Sequence, residues 1–217
     1  MYTPKHFAVT DWKTITDFVA QVASVDLVTV DDDGKPISTL LPVIWDTSKV
    51  SDTEFGTLTM HMAIQNEQWK SIKPASSALA IVHGPQAYIS PSNYGNKFTD
   101  HRVVPTWNYQ AVHLSGTVTV SQDADVLRQI VSELTDFHEQ GRSKPWSASE
   151  SDPKYFEGLL KAIVAIRMIV TKVEVTSKLS QNRPEADRQA IVKDLQESSS
   201  LPAHDIAQAM QKNLDEN

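Results

Sequence analysis

The chain of 217 residues contains no cysteine, which excludes disulfides, thiol nucleophiles and cysteine-based metal sites. It also lacks long apolar runs. The stretches at 40–45 and 162–170 are broken by proline or charge well short of the roughly 20 residues a membrane helix needs. No charged segment precedes an apolar one at the N-terminus, so a soluble, unexported, cytoplasmic protein with no membrane partner is expected. Basic residues are the minority, 20 Lys and Arg against 27 Asp and Glu, giving a formal charge of −7. That charge opposes the phosphate backbone, whose attraction to Lys and Arg supplies most non-specific nucleic-acid affinity, so direct DNA binding is disfavoured. There is no Gly-x-Ser-x-Gly elbow, no glycine-rich phosphate loop and no Gly-x-Gly-x-x-Gly fingerprint. Seven histidines are present, but none has a second His at i+4, and His83, His101, His113 and His138 are dispersed. No metal site and no catalytic set is assigned.

What is there suits one well-buried core. Asp11 is placed to cap a helix over about 12–23, with Trp12, Ile15, Phe18, Val19 and Val22 at helical spacing. Two β-rich runs, 25–30 and 37–45, flank an Asp-Gly turn at 31–36 and predict a hairpin. A third strand over 56–62 carries Leu58, Met60 and Met62 on one face. A fourth, 78–83 and 87–89, is expected to be interrupted at Gly84-Pro85. Residues 90–104 read as loop, then strands resume at 112–120 and 162–175. Asp123 caps a predicted helix ending near Gly141, and Pro153 opens another over about 153–161. Beyond Arg183 a helix opens at Pro184, breaks at Ser198-Ser199-Ser200 and resumes after Pro202. The first turn of that last helix has Ala203, His204 and Asp205 but no Lys or Arg, unlike a DNA-recognition helix. The strand count predicts a small barrel.

Two oligopeptides stand out because they are polar and aromatic at once: Val104-Pro105-Thr106-Trp107-Asn108-Tyr109 and Lys178-Leu179-Ser180-Gln181-Asn182-Arg183. The second holds two cations, a hydroxyl and two amides directly after the last strand, a set able to hold an anion. The same composition suits a solvated strand-to-helix turn. Trp107 and Tyr109 offer flat faces for stacking, or cover for a subunit contact. With Gly84-Pro85-Gln86-Ala87-Tyr88-Ile89-Ser90-Pro91-Ser92 and Met1-Tyr2-Thr3-Pro4-Lys5-His6-Phe7, these stretches make the chain resemble the PaiB-like family of FMN-binding negative transcriptional regulators, over roughly residues 1–200.

The resemblance implies a mainly β fold with α, the FMN-binding split barrel with peripheral and C-terminal helices. Residues 1–183 would form the barrel domain, with inserted helices at about 123–161, and 184–217 a C-terminal helical extension packed on it. It also implies a homodimer, a flavin cofactor (FMN) and a negative regulatory role. The cofactor-binding residues expected are His61, Asn66, Trp69, Lys70, Trp107, Asn108, Tyr109, Lys178, Ser180, Gln181, Asn182 and Arg183. His61 to Lys70 lie where a strand gives way to a short helix, whose free N–H groups attract anions. Three positions depart from the family. Many relatives have Arg in place of Ile64, Trp in place of Asn93, and Gly-Lys-Trp in place of Val175-Thr176-Ser177. Loss of a phosphate-pairing Arg removes about 1.5–3 kcal/mol, so FMN is expected to bind weakly and to be partly lost on purification. Haem is the alternative cofactor, since some split-barrel relatives bind it. The competing functions are a flavin-dependent oxidoreductase and a flavin-free interaction protein of the same fold.

Overall fold

Helix α1, Trp12–Val22, starts where expected because Asp11 Oδ2 accepts from both the backbone N–H and the hydroxyl of Thr14, at 2.7 and 2.6 Å. It belongs to a computed structural model that describes residues 1–51, 53–94 and 103–215. Residues 95–102, which include most of the expected loop and His101, lie outside the described residues, as does the side chain of Asn93.

The predicted hairpin forms from β1, Ser24–Val30, and β2, Pro36–Pro42, paired from Ser24↔Pro42 to Val30↔Pro36. Gly34 takes the left-handed backbone its turn requires, at φ 78°. The run expected over 37–45 is two strands. It breaks after Pro42, which has no N–H to carry a ladder onward, and Val43 instead donates to the Ala23 carbonyl at 3.0 Å. Strand β3, Ile44–Val50, then pairs with β4, Phe55–Ala63. On β4, Leu58, Met60 and Met62 are buried as the alternation predicts.

Strand β5, Ser76–Ile89, runs straight through Gly84-Pro85, where an interruption was expected. Proline's fixed φ is compatible with extended backbone, and glycine tolerates it. Strand β6, Thr106–Ser121, begins six residues before the predicted one and takes in Trp107, Asn108 and Tyr109. Strand β7, Ile163–Lys178, carries Lys178 as its last residue. Helix α2, Ala124–Glu139, and helix α3, Pro153–Leu160, have the caps Asp123 and Asp152. Helix α4, Glu185–Gln196, follows Pro184. Helix α5, Leu201–Asp215, starts ahead of Pro202, whose missing N–H is harmless in a first turn.

The strands form one antiparallel sheet in the order β2-β1-β5-β6-β7-β4-β3, with β2 and β3 as its open ends. Strand β2 nonetheless packs against β4, so the sheet rolls into the split barrel without a closing ladder. Gly116 permits close passage of β7, since a Cβ there would overlap the Ile169 carbonyl oxygen. No helix among the described residues is long and apolar enough to cross a membrane.

Two compact units divide the chain: Met1–Ile15, His83–Val112 and Glu174–Asn217 form one, Thr16–Val82 and His113–Val173 the other. In the first, α4 and α5 supply Ile191, Leu195, Ile206 and Met210 to a cluster with Ala87, Ile89 and Leu179. In the second, Leu127, Ile130 and Leu134 of α2 pack with Leu160 and Ala165.

Candidate functional site

The first unit brings the two unusual oligopeptides together. Asn108 is completely buried and forms a reciprocal pair with Ser180: its amide donates to Ser180 Oγ at 3.0 Å, and that hydroxyl donates back to Asn108 Oδ1 at 3.1 Å. The amide also reaches Met210 Sδ at 3.4 Å. Ser180 adopts the left-handed conformation at φ 61°, which costs a side-chain-bearing residue about 1–2 kcal/mol. Its buried partner offsets that cost. Gln181 clamps the same turn, accepting from the Leu179 N–H at 2.8 Å and donating to the Ser177 carbonyl at 2.6 Å.

The cations of this turn sit at its edges. Lys178 is half-buried, donates to Thr106 Oγ1 at 2.6 Å, and has its Nζ 5.9 Å from the centre of the Phe7 ring. Burial holds its pKa below the usual lysine value. The Arg183 guanidinium lies 5.0 Å from the centre of the Tyr94 ring, within cation–π range. Burial is the main influence on the Tyr94 phenol and raises its pKa. Asn182 is exposed and Tyr109 half-buried. Trp107 points to the opposite side of β6 from Asn108, with its indole N–H bonded to Gln86 Oε1 at 3.0 Å. Phe7 and Tyr94, the aromatic partners of the two cations, were not among the expected site residues. The quoted N-terminal stretch already contained Phe7, whereas nothing local signals Tyr94.

The second unit holds His61, Asn66, Trp69 and Lys70. The helix expected there is a single 3-10 turn, Glu67–Ser71, and Asn66 Oδ1 already accepts the Gln68 N–H. That N–H is therefore not free for an anion. The Trp69 indole donates to the Ile64 carbonyl at 2.9 Å, and exposed Lys70 pairs with Glu67 at 2.8 Å. Gln68, between Glu67 and Trp69, is the anchor: it donates to the Leu27 carbonyl at 2.9 Å and Thr29 Oγ1 at 3.0 Å, and accepts from Thr39. His61 differs from all of these. Its Nδ1 is buried without a hydrogen-bond partner among the described residues, and burial holds its pKa below 6.5.

The departures from the family pattern have local partners. The Ile64 N–H donates to the Ala162 carbonyl at 2.8 Å, and its side chain lines a recess of about 230 Å³ with Lys161 and Glu157. Thr176 is buried 2.6 Å from the Thr3 hydroxyl, and Ser177 Oγ accepts from Gln110 at 3.0 Å.

Known proteins share both sequence and fold with this chain. Residues 1–172 match the family model described as "Putative FMN-binding domain". The chain is 35% identical over 214 residues to the protease synthase and sporulation protein PAI 2 of Bacillus subtilis, covering 99% of this chain and 98% of that one. Its fold resembles that of the FAD and haem binding protein from Mycobacterium smegmatis, with a TM-score of 0.55 at 17% identity over 85% of this chain and 78% of that one. The flavocytochrome Anf3 from Azotobacter vinelandii is similar, with a TM-score of 0.54 at 14% identity over 82% and 72%. At those identities the likeness is one of fold. Sequence similarity along nearly the whole length is a stronger tie, and by it the chain belongs to the PaiB-like family of FMN-binding-domain proteins.

Proposed function

We propose that this protein binds FMN as a cytoplasmic homodimer and serves a negative regulatory role of the kind its family implies. The observation that carries the flavin reading is the turn after β7, where two cations, Lys178 and Arg183, flank a buried, braced backbone. Lys178, Arg183 and Asn182 would face the phosphate or the polar ring edge, while Tyr109 shares with Trp107 the face of β6 opposite Asn108. Asn108, Ser180 and Gln181 would act as positioning residues, because their polar atoms already hold the turn. In the other unit, His61 Nδ1, without a partner among the described residues, fits a group bearing hydrogen-bonding ring atoms. Asn66, Trp69 and Lys70 would shape its surroundings. When bound, the flavin supplies one- and two-electron chemistry. Residues 184–217 act in this reading as a helical cover for a flavin-carrying 1–183.

FMN and riboflavin titrations of the wild type, Lys178→Ala and Ile64→Arg test the site. FMN affinity should rank Ile64→Arg, wild type, Lys178→Ala, with steps of roughly tenfold to a hundredfold for a charge-assisted contact. Riboflavin, without phosphate, should show no such ranking. Undetectable FMN binding by all three would remove the flavin from this protein. Light scattering checks the dimer, which should bury more than about 1,000 Å²; a monomer at micromolar concentration contradicts it.

A further inference from the structure

A groove of about 740 Å³ in the first unit, which shares no lining residue with the braced turn, lies between the exposed side of β5 and β6 and the junction of α4 with α5. Its floor carries two large aromatics that the core does not use. Tyr88 is 54% exposed and Trp107 46% exposed. They meet edge to face, with ring centres 6.3 Å apart and planes at 61°. The hydrogen bond from the Trp107 indole to Gln86 fixes that ring in place, so its face is presented at little further entropic cost.

The opposite wall is acidic. Asp194 and Glu197 line it, and none of the described lining residues is Lys or Arg. Neither carboxylate has an ion pair or side-chain hydrogen bond among the described residues. Helix α4 ends at Gln196, with Asp194 in its last turn and Glu197 as its C-cap, and a helix C-terminus adds partial negative charge. Aromatic faces carry a negative quadrupole that attracts cations. All three contributions have one sign, in a volume typical of small-molecule sites.

We propose that this groove binds a small organic cation carrying an ammonium or quaternary ammonium group, seated on Trp107 and Tyr88 and neutralised by Asp194 and Glu197. The charge also separates this site from the flavin reading, because FMN is an anion and the two carboxylates repel it. Failure of either proposal leaves the other intact.

Choline and its neutral isostere 3,3-dimethylbutan-1-ol provide the test on the full chain, read from the indole N–H resonance of Trp107, which a Trp107→Phe spectrum identifies. Choline should shift that resonance saturably while the alcohol does not, and Asp194→Asn/Glu197→Gln should weaken choline at least tenfold. Both substitutions are isosteric and lie at solvent-accessible positions, so an unchanged circular dichroism melt accompanies the loss. Saturating FMN should leave choline affinity unaltered. Equal binding of alcohol and choline, an unaffected double variant, or no shift with choline up to the tens of millimolar each overturns the proposal.

Discussion

Two buried amides, Gln68 in one unit and Asn108 in the other, solve the same problem differently. Gln68 is 1% exposed and spends its polar atoms mainly on the β1–β2 hairpin, bonding the Leu27 carbonyl, Thr29 and Thr39. Asn108 is 0% exposed and bonds chiefly to one side chain, Ser180, 72 residues away. The first amide holds together strands that would pair anyway. The second fixes a turn whose backbone is otherwise unfavourable, and with it the orientation of the flanking cations. Buried polar groups thus brace a hairpin in one case and, in the other, the turn of the proposed flavin site.

Breaking the two amides in turn should separate those roles. Gln68→Leu removes the donor from the buried Leu27 carbonyl and Thr29 hydroxyl and the acceptor from Thr39, and should destabilise by about 3 kcal/mol, near the top of the range for such groups. Asn108→Leu strands mainly the Ser180 hydroxyl and should lose about 2 kcal/mol. Denaturant midpoints check the order, and a larger loss for Asn108→Leu would reverse the comparison. FMN affinity sharpens it, because only Asn108→Leu should weaken binding out of proportion to its stability loss.

The left-handed backbone at Ser180 can be isolated from its hydrogen bond. Ser180→Ala and Ser180→Gly both remove the hydroxyl, but glycine relieves the strain at φ 61°. Glycine should therefore be the more stable variant by about 1 kcal/mol, as thermal melts would show. Equal stability would mean that the turn relaxes once the hydroxyl is gone.

The smallest effect belongs to His61. Its folded pKa lies below 6.5 because burial disfavours the charged ring. The unfolded chain then binds more protons than the folded one just below pH 6.5, so this contribution to stability is present above about 6.5 and lost as pH falls below it. His61→Gln should flatten the acid side of the melting-temperature profile. An identical slope in wild type and variant would assign the acid sensitivity to other groups.

Much of the fold was legible locally. Asp11, Asp123 and Asp152 cap helices through side-chain oxygens that need only the next few N–H groups, and the 31–35 turn forms from its own aspartate and glycine. Strand ends were less legible. Pro42 broke a strand while Pro85 did not, because the consequence of a missing N–H depends on which neighbour the ladder would have used. The site followed the same division. Composition alone singled out 104–109 and 178–183 as unusual. It could not say that Asn108 and Ser180 would satisfy each other while Lys178 and Arg183 sat beside Phe7 and Tyr94.

What the sequence determined by itself was therefore the inventory and the family: no cysteine chemistry, an acidic surface, capped helices, alternating strands, and two polar-aromatic segments that place the chain among PaiB-like proteins. Those properties depend on residue type and short-range geometry. Only the tertiary structure decided how each polar side chain is used. A hydrogen bond across 72 residues is invisible to any local pattern, and whether an amide binds a ligand or braces a turn depends on which partners the fold brings within about 3 Å of it.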